Sequence, residues 1–463
     1  MNLTASEMIT AFRQGTLSPV EVVQVSLERL DAWEPHVNAF VFVDREGAIA
    51  EARRSEVRWR NGAPLGLLDG VPVAVKDLVA VAGAPIRRGS LAWPEGSIAE
   101  ADSPVVARLR EAGAVLIGKT ATPDSGCKIV TESAVHGVTR NPYGLERTPG
   151  GSSGGSCVAV ATGVVPIAIA TDGAGSIRIP ASNCNNFGLK PSFGRVPIHP
   201  PTMFAPHAVT GPVSLSVEDT ALAYNVVTRT EPRDPYALPF DPKDWRDSLG
   251  APIKEMRVAL SFDLGSGVAI DRSVRGAIES TAQCLRDLGA YVEEVDIRWP
   301  CDVLDTFLVF WRTMYWNSYR GLSSEQQKLV DPLIRSAAEQ GSSIGLDRYL
   351  SACNARQAMA QAMQIFHQTY DVLLTPVMPV PPYAVGRATP TVFAEDDWSW
   401  CPFTYPFNLT QQPAASVPAG RAEDGLPIGA QLVAATGNER ILFQAAYAIE
   451  QARPWKQYSP AFP

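Results

Sequence analysis

Helical segments alternating with short, wholly apolar runs constrain the fold of this chain more than any other feature. Val71-Pro-Val-Ala-Val75 reads as a buried strand that ends directly at Lys76-Asp77. Ser103-Pro104 opens a helix with Val106, Leu109 and Ala112 on one side; Gly113 ends it, and Val115-Leu-Ile117 is the next strand. Val164 to Ala170 is another apolar run, and after about residue 250 the alternation of strand and helix returns with Arg257–Phe262, a helix over 271–288 and Tyr291–Ile297. Strands with no polar face must be covered on both sides. The expected fold is therefore α/β, with one large mixed, mostly parallel sheet between helices.

Helix starts are well marked. Thr4-Ala-Ser-Glu7 and Ser18-Pro-Val-Glu21 both fit a capping box. Further helices are expected over 46–60, 304–319 and 325–370, strands over Asp371–Thr375 and Ile428–Val433, and a last helix capped by Asn438. The Pro-rich stretches 197–206 and 376–383 read as loops within one domain, 1–463, whose chemistry is expected over about 65–200.

Charge and cysteine usage exclude several functions. Lys and Arg total 40 against 48 Asp and Glu, with no basic run, so neither nucleic acid nor an anionic membrane is an expected partner. The His residues at 36, 136, 199, 207 and 367 show no HExxH spacing, and the seven Cys contain no CxxC pair. No metal, cofactor or disulfide framework is expected. The N-terminus MNLTASEM has no signal-peptide pattern. The longest apolar run, Cys157–Ala170, is broken by Gly163 and Pro166 and falls short of the roughly 20 residues that span a bilayer. The expected location is cytoplasmic.

Two segments stand out chemically. Residues 148–156, TPGGSSGGS, are too rich in Gly and Ser for a regular element, and such loops either cradle ligands or lie flexible at the surface. Two overlapping GxSxG matches there lack the preceding strand of a nucleophile elbow, because 143–149 reads YGLERTP. Ser125-Gly-Cys-Lys128 matches SxxK but is interrupted by Pro123 and Gly126, without the partner motifs. The second segment, Gly173-Ala-Gly-Ser176, follows a buried strand and precedes an expected helix at Ser176. Backbone N–H groups converging there beside a hydroxyl suit a developing oxyanion. Lys76, at a strand's C-terminal end, is either a functional amine or the partner of Asp77 or another acid.

The stretch Gly150 to Lys190 resembles the signature of the amidase signature family, with its two serines, Ser152 and Ser176, 24 residues apart. Gly70-Val-Pro-Val-Ala-Val-Lys76-Asp77 resembles that family's lysine strand. Gly118-Lys-Thr120, Gly137–Pro142, Phe403-Thr-Tyr-Pro-Phe407 and Gly425–Gly429 also resemble family segments. The resemblance implies hydrolysis of a carboxylic amide. Ser176 would be the acylated nucleophile, Ser152 a bridging serine after a cis Gly151–Ser152 bond, and Lys76 the terminal base. The N–H groups of Gly173, Ala174, Gly175 and Ser176 would line the oxyanion hole, with Ala174 sufficient if its φ stays negative. Asp172 and Arg178 would pair and hold the turn, and Ser153 and Ser156 would satisfy backbone groups.

Gly126 and Cys127 would border the substrate pocket. Phe310, Trp311, Tyr315 and Trp316, and separately Trp398 and Trp400, either pack the core or line a pocket for an aryl or hydrophobic acyl group. The expected partner is a small-molecule amide. Alternatives are the glutaminase subunit of a tRNA-dependent amidotransferase, although Leu333–Glu339 looks more like stand-alone amidases, and a hydrolase of biuret- or allophanate-like compounds. Oligomeric state is left open, a homodimer included.

Overall fold

The apolar runs become strands of a single sheet. A computed structural model describes residues 3–393 and 398–455. Its strands in chain order are β1 (Phe40–Val43), β2 (Pro72–Lys76), β3 (Val115–Thr120), β4 (Glu132–Ser133), β5 (Gly137–Val138), β6 (Ile167–Asp172), β7 (Phe187–Lys190), β8 (Val209–Ser214), β9 (Arg257–Leu260), β10 (Tyr291–Glu294), β11 (Val372–Pro376), β12 (Ala414–Arg421) and β13 (Pro427–Val433). β4 and β5 form a separate small hairpin; the others form an 11-stranded sheet ordered β1-β3-β2-β6-β8-β7-β12-β13-β11-β9-β10. Parallel pairing is confined to two flanks, β3–β2–β6 and β11–β9–β10, where helix and strand alternate most regularly. From β6 to β11 every intervening pair is antiparallel, as is β1 with β3.

Alternating residues of one strand feed two cores. Val73 and Val75 of β2 and Ile167 and Ile169 of β6 join a cluster with residues of helices Pro104–Glu111, Val217–Val227, Arg272–Asp287 and Glu439–Ala452. Ala74, Ala168 and Ala170 face the other cluster, with helices Pro19–Val37, Arg45–Arg60 and Gly154–Ala161. These alanines let helix 154–161 lie close to the sheet. At Gly155 the helix abuts backbone at the ends of β3 and β1: an added methyl would sit 2.4 Å from the Ala121 nitrogen and 2.6 Å from the Ala39 carbonyl oxygen.

Several boundaries differ from expectation. The segment 325–370 is three helices, Ser324–Leu329, Pro332–Ser342 and Leu346–Phe366, because Val330 is extended before Asp331-Pro332 and Gly345 is extended before the last. β6 starts at Ile167, after Pro166, rather than at Val164. The glycine-rich segment is helical from Gly154, and the helix after the second turn starts at Arg178, not Ser176. Both capping boxes form, whereas Ser103 and Asn438 occupy N-cap positions without a side-chain capping bond. No helix among the described residues is long and apolar enough to cross a membrane.

Gly155→Val should place side-chain atoms against backbone that cannot move without shifting β3. A loss of about 1–3 kcal/mol or more is expected from such overpacking, measured by urea denaturation.

Candidate active site

Lys76 closes β2, and its side chain is fully buried. Its Nζ is hydrogen-bonded to Ser152 Oγ (2.7 Å), Ser153 Oγ (2.8 Å) and Thr171 Oγ1 (2.9 Å), hydroxyls that can either accept from it or donate to it. Among the described residues no carboxylate pairs with it. The adjacent Asp77, the acid that could have done so, is taken by Lys119 at 2.9 Å. Burial penalises the ammonium, and the more distant charge of Asp172 opposes this only in part, so the Lys76 pKa falls to about 7. The register of parallel β2 and β6, with Val75 opposite Ile169, brings Lys76 and Thr171 to the same end of the sheet.

Ser152 follows a cis Gly151–Ser152 bond. An added methyl at Gly151 would meet the Val130 backbone at 2.5 Å, so only glycine fits. Ser153 does more than satisfy its loop. It accepts from Lys76, donates to the Thr171 carbonyl (3.1 Å), and its N–H reaches the Ser176 carbonyl (3.3 Å). Ser156 is one turn into the helix, bonded to Thr120 Oγ1 and the Ile169 carbonyl.

The turn that carries Ser176 is held by a buried bidentate ion pair. Arg178 donates from Nε and Nη2 to the two oxygens of Asp172, both at 2.9 Å. Its remaining donors go to the Thr404 carbonyl and Gln431 Oε1 from Nη1, and to Asn408 Oδ1 from Nη2. All five guanidinium N–H groups are thereby used. Burial alone would raise the Asp172 pKa; the charge and hydrogen bonds of Arg178, with Lys190 and Asn408, outweigh it and hold the carboxyl well below its usual range. Thr404 Oγ1 also donates to the Ala174 carbonyl (2.6 Å).

One expectation about this turn is corrected. The Gly175 N–H donates to Asp172 Oδ1 at 2.7 Å, so it faces the carboxylate rather than a substrate. The N–H groups of Gly173, Ala174 and Ser176 have no acceptor among the described residues. Ala174 is absent from the residues with positive φ, as its side chain requires. Ser176, 7% exposed, makes no side-chain hydrogen bond among the described residues, and none joins it to Ser152.

Ser152, Thr171, Gly173, Ala174 and Ser176 line a cavity of about 500 Å³; Lys76 lies behind them and does not line it. Gly126 lines it, with φ 74°, and an added methyl would come 3.2 Å from Ser152 Oγ. Cys127 does not. Its side chain turns into an apolar cluster with Ala92, Phe307 and Tyr315, and burial pushes its thiol well above the usual range. Of the aromatic candidates Trp311 and Tyr315 line the cavity, while Phe310 packs beside His207 and Trp400 joins Tyr383 and Phe393 in a separate cluster. Trp398 packs on Phe307 and Trp311 from outside. Sequence reasoning missed Trp93, Met203 and Phe204, which lie in irregular segments without periodicity, and Asn408 and Gln431, which support Arg178 from far along the chain.

Comparison with known proteins gives a consistent result. A model of the amidase family matches residues 21–443. An acylamidase of Rhodococcus erythropolis is 33% identical over 99% of this chain and 97% of the relative. A glutamyl-tRNA(Gln) amidotransferase subunit of Cyanothece sp. is also 33% identical, over 96% of each chain. The crystal structure of a bacterial aryl acylamidase of the amidase signature family superposes with a TM-score of 0.91 at 28% identity, covering 99% of this chain and 97% of that one. The structure of a 6-aminohexanoate cyclic dimer hydrolase complexed with substrate gives 0.90 at 28% identity, covering 100% and 99%. On this match, over nearly its whole length, the chain belongs to the amidase signature family of amide-hydrolysing enzymes.

Proposed function

We propose that the protein is a stand-alone amidase that cleaves an amide through an acyl-enzyme on Ser176, with Ser152 as proton relay and Lys76 as base. The observation that carries this reading is the setting of Lys76. Its amine has a pKa of about 7 and no acid partner among the described residues, and it touches the cavity only through hydroxyl groups. A Ser hydroxyl is a poor nucleophile and needs a base. A neutral Lys76 accepts a proton at its lone pair. Ser153 has its own proton committed to the Thr171 carbonyl, so the adjacent Ser152 is the hydroxyl with a proton to give.

Ser176 Oγ then attacks the amide carbonyl carbon as its proton passes to Ser152 and that of Ser152 to Lys76. The oxyanion is received by the N–H groups of Gly173, Ala174 and Ser176. Collapse breaks the C–N bond, and the Lys76 ammonium returns its proton through Ser152 to the departing nitrogen. Water hydrolyses the ester by the same relay. The amidotransferase relative supports a second reading, a glutaminase acting within a complex. The aromatic lining of the cavity, with Trp93, Phe204, Trp311 and Tyr315, suits an aryl or apolar group better than the glutamine side chain.

Ser176→Ala should lower kcat about 10⁴-fold or more with the fold intact. A fluorophosphonate should leave one adduct on Ser176 by peptide mass mapping; an adduct on Ser153 or Ser125 refutes the assignment. Thr171 also bonds Lys76 and lines the cavity, so the relay is tested by comparing variants. Ser152→Ala should lose far more kcat than Thr171→Val, and equal losses would remove Ser152 from the relay.

The depressed Lys76 also affects stability. Its pKa is about 7 folded and about 10.4 unfolded, so between these values the unfolded chain binds more protons and stability rises with pH. The slope is up to about 1.4 kcal/mol per pH unit. Burial also lowers Lys190 to about 7, so wild type and Lys76→Met share that contribution. Urea denaturation at pH 7, 8 and 9 should therefore show wild type gaining on Lys76→Met as pH rises.

A further inference from the structure

The cavity in front of Ser176 carries one uncompensated charge. Arg88 lines it, and none of the described residues lining it is Asp, Glu or Lys. The guanidinium lies 4.6 Å from the centroid of the Trp93 ring, which also lines the cavity. No carboxylate among the described residues pairs with it. Burial disfavours its charged form, and the charge of Asp77, itself bonded to Lys119, offsets this only partly.

The backbone fixes where this cation stands. Arg88 has φ 54°, and its carbonyl accepts from the Ser125 N–H at 2.8 Å. The next residue, Gly89, packs so tightly that an added methyl would lie 2.4 Å from the Thr122 carbonyl oxygen. Ser125 in turn precedes Gly126, which lies against Ser152. Arg88 is thus anchored to the loop that borders the bridging serine. Two further polar atoms on lining residues, His199 Nδ1 and the Tyr315 hydroxyl, are buried without a partner among the described residues.

A partly desolvated guanidinium against apolar walls is unfavourable until an anion meets it, and its planar fork matches a carboxylate with two parallel hydrogen bonds. We propose that Arg88 is the anion receptor of this cavity, and that the substrate is an aromatic or apolar amide bearing a carboxylate. The same charge discriminates against cationic amides. The proposal rests on the amidase reading of the site and adds to it the charge of the substrate.

Two pairs of near-isosteric compounds test it. 4-Acetamidobenzoate and 4-nitroacetanilide carry the carboxylate or neutral nitro group on the amine side; 4-carbamoylbenzoate and 4-nitrobenzamide carry it on the acyl side. Dissociation constants are measured calorimetrically on Ser176→Ala protein, with Arg88 intact or changed to Met or Lys. The expected result is preference for the carboxylate in at least one pair, falling about 10–100-fold with Arg88→Met and partly restored with Arg88→Lys. No preference in either pair, no binding, or a preference that survives Arg88→Met within threefold would overturn the proposal. Turnover by the wild type is read separately. A protein that binds the carboxylates but hydrolyses no amide refutes the amidase reading and leaves the anion receptor standing.

Discussion

The buried Asp172–Arg178 pair is the interaction on which the site depends. It joins the last residue of β6 to the helix that follows Ser176, and so fixes the conformation of the turn between them. Burying two charges is costly unless their geometry is good and their remaining hydrogen-bonding capacity is met. Here the carboxylate takes the Gly175 and Ile177 N–H groups, and the guanidinium takes Thr404, Asn408 and Gln431. The pair therefore ties the turn to segments more than two hundred residues away and leaves three neighbouring N–H groups pointing elsewhere.

The second constraint is how acids are allotted to buried lysines. Lys76 and Lys119 lie on neighbouring parallel strands, and Asp77 follows Lys76 in the chain. Lys119 takes its carboxylate, and Lys76 is left with hydroxyls. Lys119 thus has a carboxylate against it that opposes the lowering of its pKa by burial, while burial brings the Lys76 pKa to about 7.

The parts of this arrangement legible in the sequence are those with local signatures. Capping boxes at Thr4 and Ser18, the apolar run before Lys76 and the two Ser-bearing turns all sit within a few residues of their determinants. β8 reads Val-Thr-Gly-Pro-Val-Ser and escapes notice because Gly and Pro argue against a strand interior. β12 carries Pro418 beside a register shift and escapes for the same reason. Asp172 and Arg178 can be paired from their spacing, but not the three partners from the far end of the chain. Gly175 reads as an oxyanion donor in the sequence because nothing local reveals that Asp172 claims its N–H. Cys127 and Gly126 are adjacent, yet only side-chain direction decides which one borders the cavity.

Amide cleavage by this route requires Lys76 to shed its proton close to neutral pH. The direct measurement is an NMR titration of the lysine side chains, with ¹³Cε and ¹⁵Nζ labels in Ser176→Ala protein and Lys76→Met to assign the resonance. A midpoint near 7 for Lys76 is predicted. A midpoint at or above the ordinary lysine value of about 10.4 would make Lys76 a structural ammonium and contradict the account.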